Sequence, residues 1–260
     1  MTRSEIITKL TNRGYHAEAH DVIKNGVKME GVRIVTEGKN VSPVIYVEQF
    51  AYSENPIDEI IATYENSKGF DFDTDILMNR DYVLSHLFIG LQREGCENIV
   101  KKLIRELKGI EKYLYIRIDH EMTAKLTPWL LQNADISEKE AWKIAENNTF
   151  EVTEIRSMGE MFGNSEMDSP FFVMTTKEKN RGASAILNKK QLKEFCISQD
   201  VNAIFMLPSS IHEVLIIPYS PLFNLDDLTE MVKEVNATQV KAYEQLADRA
   251  YKLTIIKERR

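Results

Sequence analysis

The chain has 260 residues, of which 43% are hydrophobic and 28% are charged, and these fractions exclude extensive disorder. This length accommodates one large domain or two domains of ordinary size around a substantial buried core. The net charge of −7, from 40 acidic and 33 basic residues, disfavours general nucleic-acid binding, which requires a basic face.

The composition also predicts a cytoplasmic protein that does not enter membranes. No apolar run approaches the roughly 20 residues that cross a bilayer. Glu5 and Lys9 would interrupt the apolar core of a secretory signal near the N-terminus. Cys96 and Cys196 lie among apolar or helical neighbours, which favours free thiols in a reducing compartment. No phosphate-binding loop is recognisable, and the sequence predicts no cofactor.

Helical and extended patterns alternate at the start of the chain. Ser4 to Arg13 has apolar residues at helical spacing, which predicts a helix. Val27 to Thr36 alternates as a strand with a bulge predicted at Gly31, and residues 44–47 supply the second strand of a hairpin. Residues 55–67 open with a capping residue, a proline and two acidic residues, which predicts a second helix.

Strand and helix patterns also alternate in the middle of the chain. Residues 82–91 are rich in β-forming side chains, residues 96–108 have helical period and charge pattern, and residues 113–118 alternate as a strand. Two helices are predicted within residues 126–148, and the second opens at the capping box of residues 137–140.

The last third begins after residues 157–170, a segment rich in Gly, Ser, Asn and Asp that predicts a loop or a subdomain boundary. Helices are predicted in three places beyond it: residues 189–197, 224–236 and 240–247. Strands are predicted in five: residues 171–175, 183–187, 203–207, 214–218 and 251–255.

Pairs of strands followed by a helix recur along the chain, which is typical of an α+β fold and not of a doubly wound parallel sheet. The predicted architecture is a set of repeated strand-pair plus helix units that form largely antiparallel sheets covered by helices. Residues 1–156 are predicted as an N-terminal α+β subdomain and residues 170–260 as a C-terminal one. The alternative is one continuous domain.

The candidate catalytic residues are Ser209, Ser210, His212 and Glu213, at a turn between two predicted strands. Serine, histidine and a carboxylate are the residue types of nucleophilic hydrolysis. Side chains 210 and 212 share one face of an extended segment whereas 213 points to the other, so these neighbours cannot complete a triad by themselves. The alternative, which we favour, is a tight turn whose hydroxyls bond the local backbone.

His120 and Glu121 are candidate metal ligands. The helical zinc-protease pattern fails because Ala124 stands where its second histidine would come. A polar turn is therefore favoured at this position. His16 and His20 have the spacing of a helical metal-binding pair, for which a solvated surface is the favoured alternative.

Six segments carry a resemblance to a known family, and they occur in the family's order over most of the chain: VSPVIYVEQF, NPIDEIIATYEN, ISEKEAWKIAENNTFE, GASAILNKKQLKEF, LPSSIHEVLIIP and EMVKEVNATQV. The chain resembles DUF5688, an uncharacterised bacterial family of unknown function. Residues 91–112 depart from the family's pattern. The resemblance brings no established activity and no catalytic residue. Members of the family resemble proteins of anaerobic bacteria encoded near mobile elements, which implies an accessory or host-conflict role.

Two function hypotheses follow. The first is a non-enzymatic interaction or regulatory protein of bacterial or mobile-element origin, which binds a protein partner or associates with itself. Its support is that the scaffold signals are intact while no complete catalytic constellation is visible. The alternative is a hydrolase or metal-dependent enzyme with a site near Ser209, His212 and Glu213.

Overall fold

A computed structural model describes residues 1–36, 38, 42–67, 72–119, 122–163 and 169–256. The described residues form helices and antiparallel sheets, which confirms the predicted α+β fold. The helices are α1 Arg3–Asn12, α2 Pro56–Ser67, α3 Arg80–Ser85, α4 Pro128–Asn133, α5 Glu138–Glu151, α6 Met158–Met161, α7 Lys189–Ser198 and α8 Leu225–Thr238. The strands are β1 Ala17–Lys24, β2 Val27–Ile34, β3 Val44–Tyr46, β4 Leu87–Arg93, β5 Lys101–Leu103, β6 Ile110–Arg117, β7 Thr123–Lys125, β8 Thr153–Ser157, β9 Phe172–Thr176, β10 Ala203–Leu207, β11 Val214–Pro218 and β12 Tyr251–Thr254.

The chain divides into two compact units, residues 1–75 and 76–260. The boundary predicted at residues 157–170 falls within the second unit, and the strands that flank it, β8 and β9, pair with each other. None of the described helices combines the length and the apolar character of a bilayer-spanning segment.

The first unit is a three-stranded antiparallel sheet, β1-β2-β3, with helices α1 and α2. Thr2 and Glu5 form a reciprocal capping box at the start of α1 and so satisfy N–H groups that the helix leaves unpaired. Eight buried side chains of this unit form an apolar cluster: Ile6, Leu10, Val32, Ile34, Ile45, Ile57, Ile60 and Tyr64.

One expectation about this unit is wrong and one alternative is excluded. The excluded alternative is the helical metal-binding pair, because His20 lies in strand β1 and so does not share a helical face with His16. Gly31 is not a bulge, because β2 pairs without interruption and Gly31 lies opposite both His20 and Tyr46. A β-carbon at position 31 would come within 2.6 Å of the His20 carbonyl oxygen, so glycine is needed here for close strand approach.

The second unit contains a five-stranded antiparallel sheet with the order β12-β10-β11-β9-β8. Every residue of β10 is buried, as expected for the central part of a sheet that is covered on both sides. Helix α7 packs Leu192, Phe195 and Cys196 into the apolar cluster that contains Ile204 and Ile216 from the sheet.

A second sheet of this unit has the order β4-β6-β5, and β7 also pairs with β6. Alternation gives this sheet two different faces. One face buries Leu87, Ile89 and Leu114 against Ala141 and Trp142 of helix α5. The opposite face presents polar and aromatic side chains, which form the candidate site described below.

Three predicted elements in the second unit are wrong. Residues 96–108 form no α-helix but contain strand β5, because pairing with β6 overrides their helical period. Residues 183–187 lie in a 3₁₀ helix, Gly182–Leu187, and not in a strand. Within residues 240–247 the helix is limited to a 3₁₀ turn, Ala242–Glu244.

Candidate functional site

The turn between β10 and β11 contains the residues that the sequence singles out. The backbone N–H of His212 donates to Oγ of Ser210 at 3.0 Å, and the backbone N–H of Ser210 donates to the carbonyl oxygen of Glu213 at 3.1 Å. The Ser210 hydroxyl therefore bonds the local backbone, which is the turn favoured on sequence grounds.

The imidazole of His212 is half-buried and is held by the neighbouring segment. The backbone N–H of Arg181 donates to Nδ1 of His212 at 3.2 Å. Nδ1 acts as an acceptor here, so the neutral ring carries its proton on Nε2. Burial lowers the pKa of His212, and the nearby positive charge of Arg181 lowers it further, whereas Glu244 opposes both effects.

The backbone of His212 is anchored as closely as its ring. Its carbonyl oxygen accepts a hydrogen bond from Oγ1 of Thr175 at 2.8 Å. Gly182 packs into the same corner, where an added β-carbon would lie 2.2 Å from Thr175 Oγ1 and 2.7 Å from the His212 carbonyl oxygen. Because glycine has no side chain, the segment at position 182 can pack directly against Thr175 and the backbone of His212.

Arg181 joins this corner to the polar face of the neighbouring sheet. Its backbone is left-handed, with φ 52° and ψ 27°, which is uncommon for a residue with a side chain. Its Nη1 donates to the Tyr113 hydroxyl at 2.7 Å, and its guanidinium carbon lies 5.7 Å from the centre of the Tyr115 ring. These contacts offset the cost of the strained backbone.

A hydrogen-bonded polar cluster lies on the same face of the sheet. Nε2 of Gln92 donates to Glu97 and to Glu111, both at 2.8 Å. Nζ of Lys125 donates to Oε1 of Gln92 at 2.8 Å and to Glu97 at 2.7 Å, and Nζ of Lys101 donates to Glu111 at 3.1 Å. Two lysines thus balance two glutamates, and Glu111 is only 2% exposed.

Burial shifts the pKa values of two groups in or beside the cluster, Lys125 and Tyr113. Burial lowers the pKa of Lys125, and the hydrogen bond to Glu97 partly restores it. Burial raises the pKa of Tyr113, which therefore stays neutral at physiological pH and accepts the hydrogen bond from Arg181. Hydrogen bonding engages both groups, and the bond between Arg181 and Tyr113 ties the Arg181 segment to the sheet.

The structure brings the sequence candidates together only in part. Ser210 and His212 meet through the backbone N–H of His212, and no described hydrogen bond joins a serine hydroxyl to the imidazole ring. Ser209 instead lines an apolar groove beside helix α8. His120 and Glu121 lie outside the described residues. No group of three or more potential metal ligands occurs within the described ranges.

Sequence reasoning missed Arg181, which contacts His212, and the residues of the polar cluster. Arg181 is 68 positions from Tyr113, and Lys125 is 28 positions from Glu97, so no local motif links them. One signal was available. Glu111, Tyr113 and Tyr115 alternate along β6 and place polar and aromatic groups on the face away from the apolar residues.

The geometry thus defines a protein of α+β fold in which backbone and side-chain hydrogen bonds hold the turn that contains His212. The chain belongs to a family of unknown function, DUF5688, whose profile matches residues 2–254. Comparison with curated proteins and with solved structures gave no match.

Proposed function

We propose that this protein acts by binding a protein partner, as a non-enzymatic interaction or regulatory protein of bacterial or mobile-element origin. The observation that carries the proposal is an apolar groove between the β10–β11 turn and helix α8. We define this groove by its lining residues: Leu207, Pro208, Ser209, Leu215, Met231, Val232 and Val235.

The groove is exposed where it meets helix α8. Met231 is 42% exposed and Val235 is 38% exposed, one helical turn apart on the same face. The groove volume is about 40 Å³. A single water needs roughly 10–15 Å³ by this measure, so the groove has room for the end of one aliphatic side chain. Such pockets receive the anchor residues of protein partners.

The charges around the groove select the partner. Asp227 and Glu234 lie one helical turn before and after Met231, and neither has an ion-pair partner among the described residues. A second copy of the chain would present the same acidic rim, so like charges oppose self-association through this face. We therefore infer a different protein that inserts an apolar side chain flanked by basic residues.

The turn that contains His212 supports a binding role over a hydrolytic one. Nδ1 of His212 accepts a backbone hydrogen bond from Arg181, and Oγ of Ser210 accepts one from the backbone of His212. A nucleophile and its base must instead share a hydrogen bond between their side chains. The polar groups of the turn hold its shape, and that shape forms one wall of the groove.

Site-specific photo-crosslinking tests the proposal. A photoreactive amino acid replaces Met231 in the intact protein, expressed in the cells that naturally encode it. Lys233, on the opposite side of α8, provides the matched control position. We expect a discrete crosslinked protein from position 231 that is absent from position 233. A peptide from its basic, apolar segment should bind the purified protein, and Met231→Glu should weaken that binding by about tenfold or more, the loss typical of a buried anchor.

Three results would contradict the proposal. One is the same set of crosslinked proteins from both positions, and another is a partner that lacks a basic, apolar segment. The third is ester or phosphoester hydrolysis by the purified protein that disappears in His212→Asn and Ser210→Ala, which would favour the hydrolase hypothesis.

A further inference from the structure

The second unit contains a cleft of about 620 Å³ that neither the polar cluster nor the apolar groove explains. Its walls come from the turn after β5, from β6, from α5 and from the start of α7. Small-molecule sites commonly have volumes of about 300–1,000 Å³. The cleft is therefore large enough to enclose much of a small ligand.

The cleft is locally positive in a chain of net charge −7. Four cationic side chains line it, Arg105, Lys112, Lys189 and Lys190, against two acidic ones. Lys112 lies 3.4 Å from a carboxylate oxygen of Glu146. Among the described residues, the other three cationic side chains form no ion pair, which leaves positive charge for a ligand.

The wall of the cleft is not uniformly polar. Leu103, Ile104, Phe150 and Leu187 also line it, and the side chain of Leu103 is 64% exposed. Charged groups in an apolar frame are the usual composition of a small-molecule site, because the apolar area supplies affinity and the charges fix orientation.

Lys189 and Lys190 occupy positions that are unfavourable for the stability of helix α7. They are its first two residues, and the first turn contains no acidic residue. The positive end of the helix dipole opposes cations at this position. Residues that oppose the local preferences of a helix without a compensating contact are expected at functional sites.

We propose that this cleft binds a small molecule that carries a phosphate group on an apolar or aromatic body. The excess of two positive charges over the acidic pair matches a phosphate dianion. Lysine acts as a point charge toward phosphate, and arginine adds paired donors. The apolar residues receive the remainder of the ligand. This inference is independent of the groove beside α8, which lies among other residues.

Calorimetric titration of the protein tests the site with two probes, phenyl phosphate and inorganic phosphate. Phenyl phosphate should bind more tightly, because its ring reaches the apolar wall. Lys189→Glu and Lys190→Glu should each weaken its binding by about tenfold or more, since charge reversal beside an anion replaces attraction with repulsion. Binding should also weaken as salt is added.

The matched control is Lys193→Glu, on the same helix, exposed and outside the cleft. It should leave the affinity within about twofold. The Tm separates a lost site from lost structure. An acidic residue at the start of α7 is favoured by the helix dipole, so Lys189→Glu should keep or raise the Tm while binding falls.

Three outcomes would overturn the proposal. In the first, phenyl phosphate does not bind the unaltered protein at millimolar concentration. In the second, the Lys189→Glu variant binds phenyl phosphate as tightly as the unaltered protein does. In the third, Lys193→Glu weakens binding as much as Lys189→Glu, which would mean diffuse attraction by surface charge.

Discussion

His212 accepts a hydrogen bond through Nδ1 from the backbone N–H group of Arg181. Protonation would place a proton on Nδ1 and turn this attraction into a clash between two donors. Because burial already lowers the folded-state pKa, the unfolded chain takes up the proton first as the solution is acidified. The free energy of unfolding should therefore fall as the pH drops through the unfolded-state value of about 6.5.

Substitution of His212 tests this linkage. Asparagine retains an acceptor near the position of Nδ1 and does not titrate, so His212→Asn should lose less stability than the unaltered protein between about pH 7.5 and pH 5.5. His212→Leu leaves the Arg181 N–H without an acceptor and should lower the free energy of unfolding by about 1–3 kcal/mol at pH 7.5. Urea unfolding at several pH values measures both effects. Equal pH dependence in all three proteins would refute the role of His212.

The 3₁₀ helix Gly182–Leu187 shows how packing decides the conformation of an element. Its sequence has the apolar content of a strand, yet Gly182 inserts between Thr175 and the His212 carbonyl oxygen. The helix then buries Ala183, Ala185 and Ile186 in the core. The buried contacts of this element come from distant segments, and these contacts outweigh its intrinsic propensity.

Gly182→Ala should therefore separate the 3₁₀ helix from strand β9 and from the turn that contains His212. An added β-carbon would lie 2.6 Å from the backbone nitrogen of Thr176, an atom that cannot move aside without distorting β9. We expect the free energy of unfolding to fall by about 1–3 kcal/mol or more. Gly95→Ala is the control, because the nearest atom to its added β-carbon is 3.8 Å away. Equal losses in chemical denaturation of the two variants would contradict the close-approach argument.

At the scale of the whole molecule, the two units build their cores from separate residues. Among the described residues, the buried cluster of the first unit ends at Tyr64, and each buried cluster of the second unit begins at Val83 or later. Units with separate cores tend to unfold as separate cooperative transitions.

Gly31→Ala tests this independence, since it should destabilise the first unit alone. Both tryptophans, Trp129 and Trp142, lie in the second unit, so their fluorescence reports on that unit. Circular dichroism reports on both units. In circular dichroism, we expect the midpoint of the first unit's thermal transition to fall by about 4–8 °C for each kcal/mol of lost unfolding free energy. The midpoint measured by tryptophan fluorescence should stay constant. A joint shift in both signals would mean that the units unfold together.

The sequence by itself determined the α+β class and the succession β10, turn, β11 and α8. Alternation, capping residues and turn residues are local properties, and in this region the tertiary contacts agree with them. The turn at Ser210 was predictable for the same reason, because its hydroxyl bonds a backbone group only two residues away.

Only the tertiary structure decided which side chains surround that turn. Residues 96–108 have a helical period but pair with β6, and Arg181 contacts Tyr113 across 68 positions. The groove between Leu207 and Met231 and the cleft between Arg105 and Lys189 likewise join distant segments. Such contacts depend on how sheets and helices pack, and a single sequence contains no local signal for that packing.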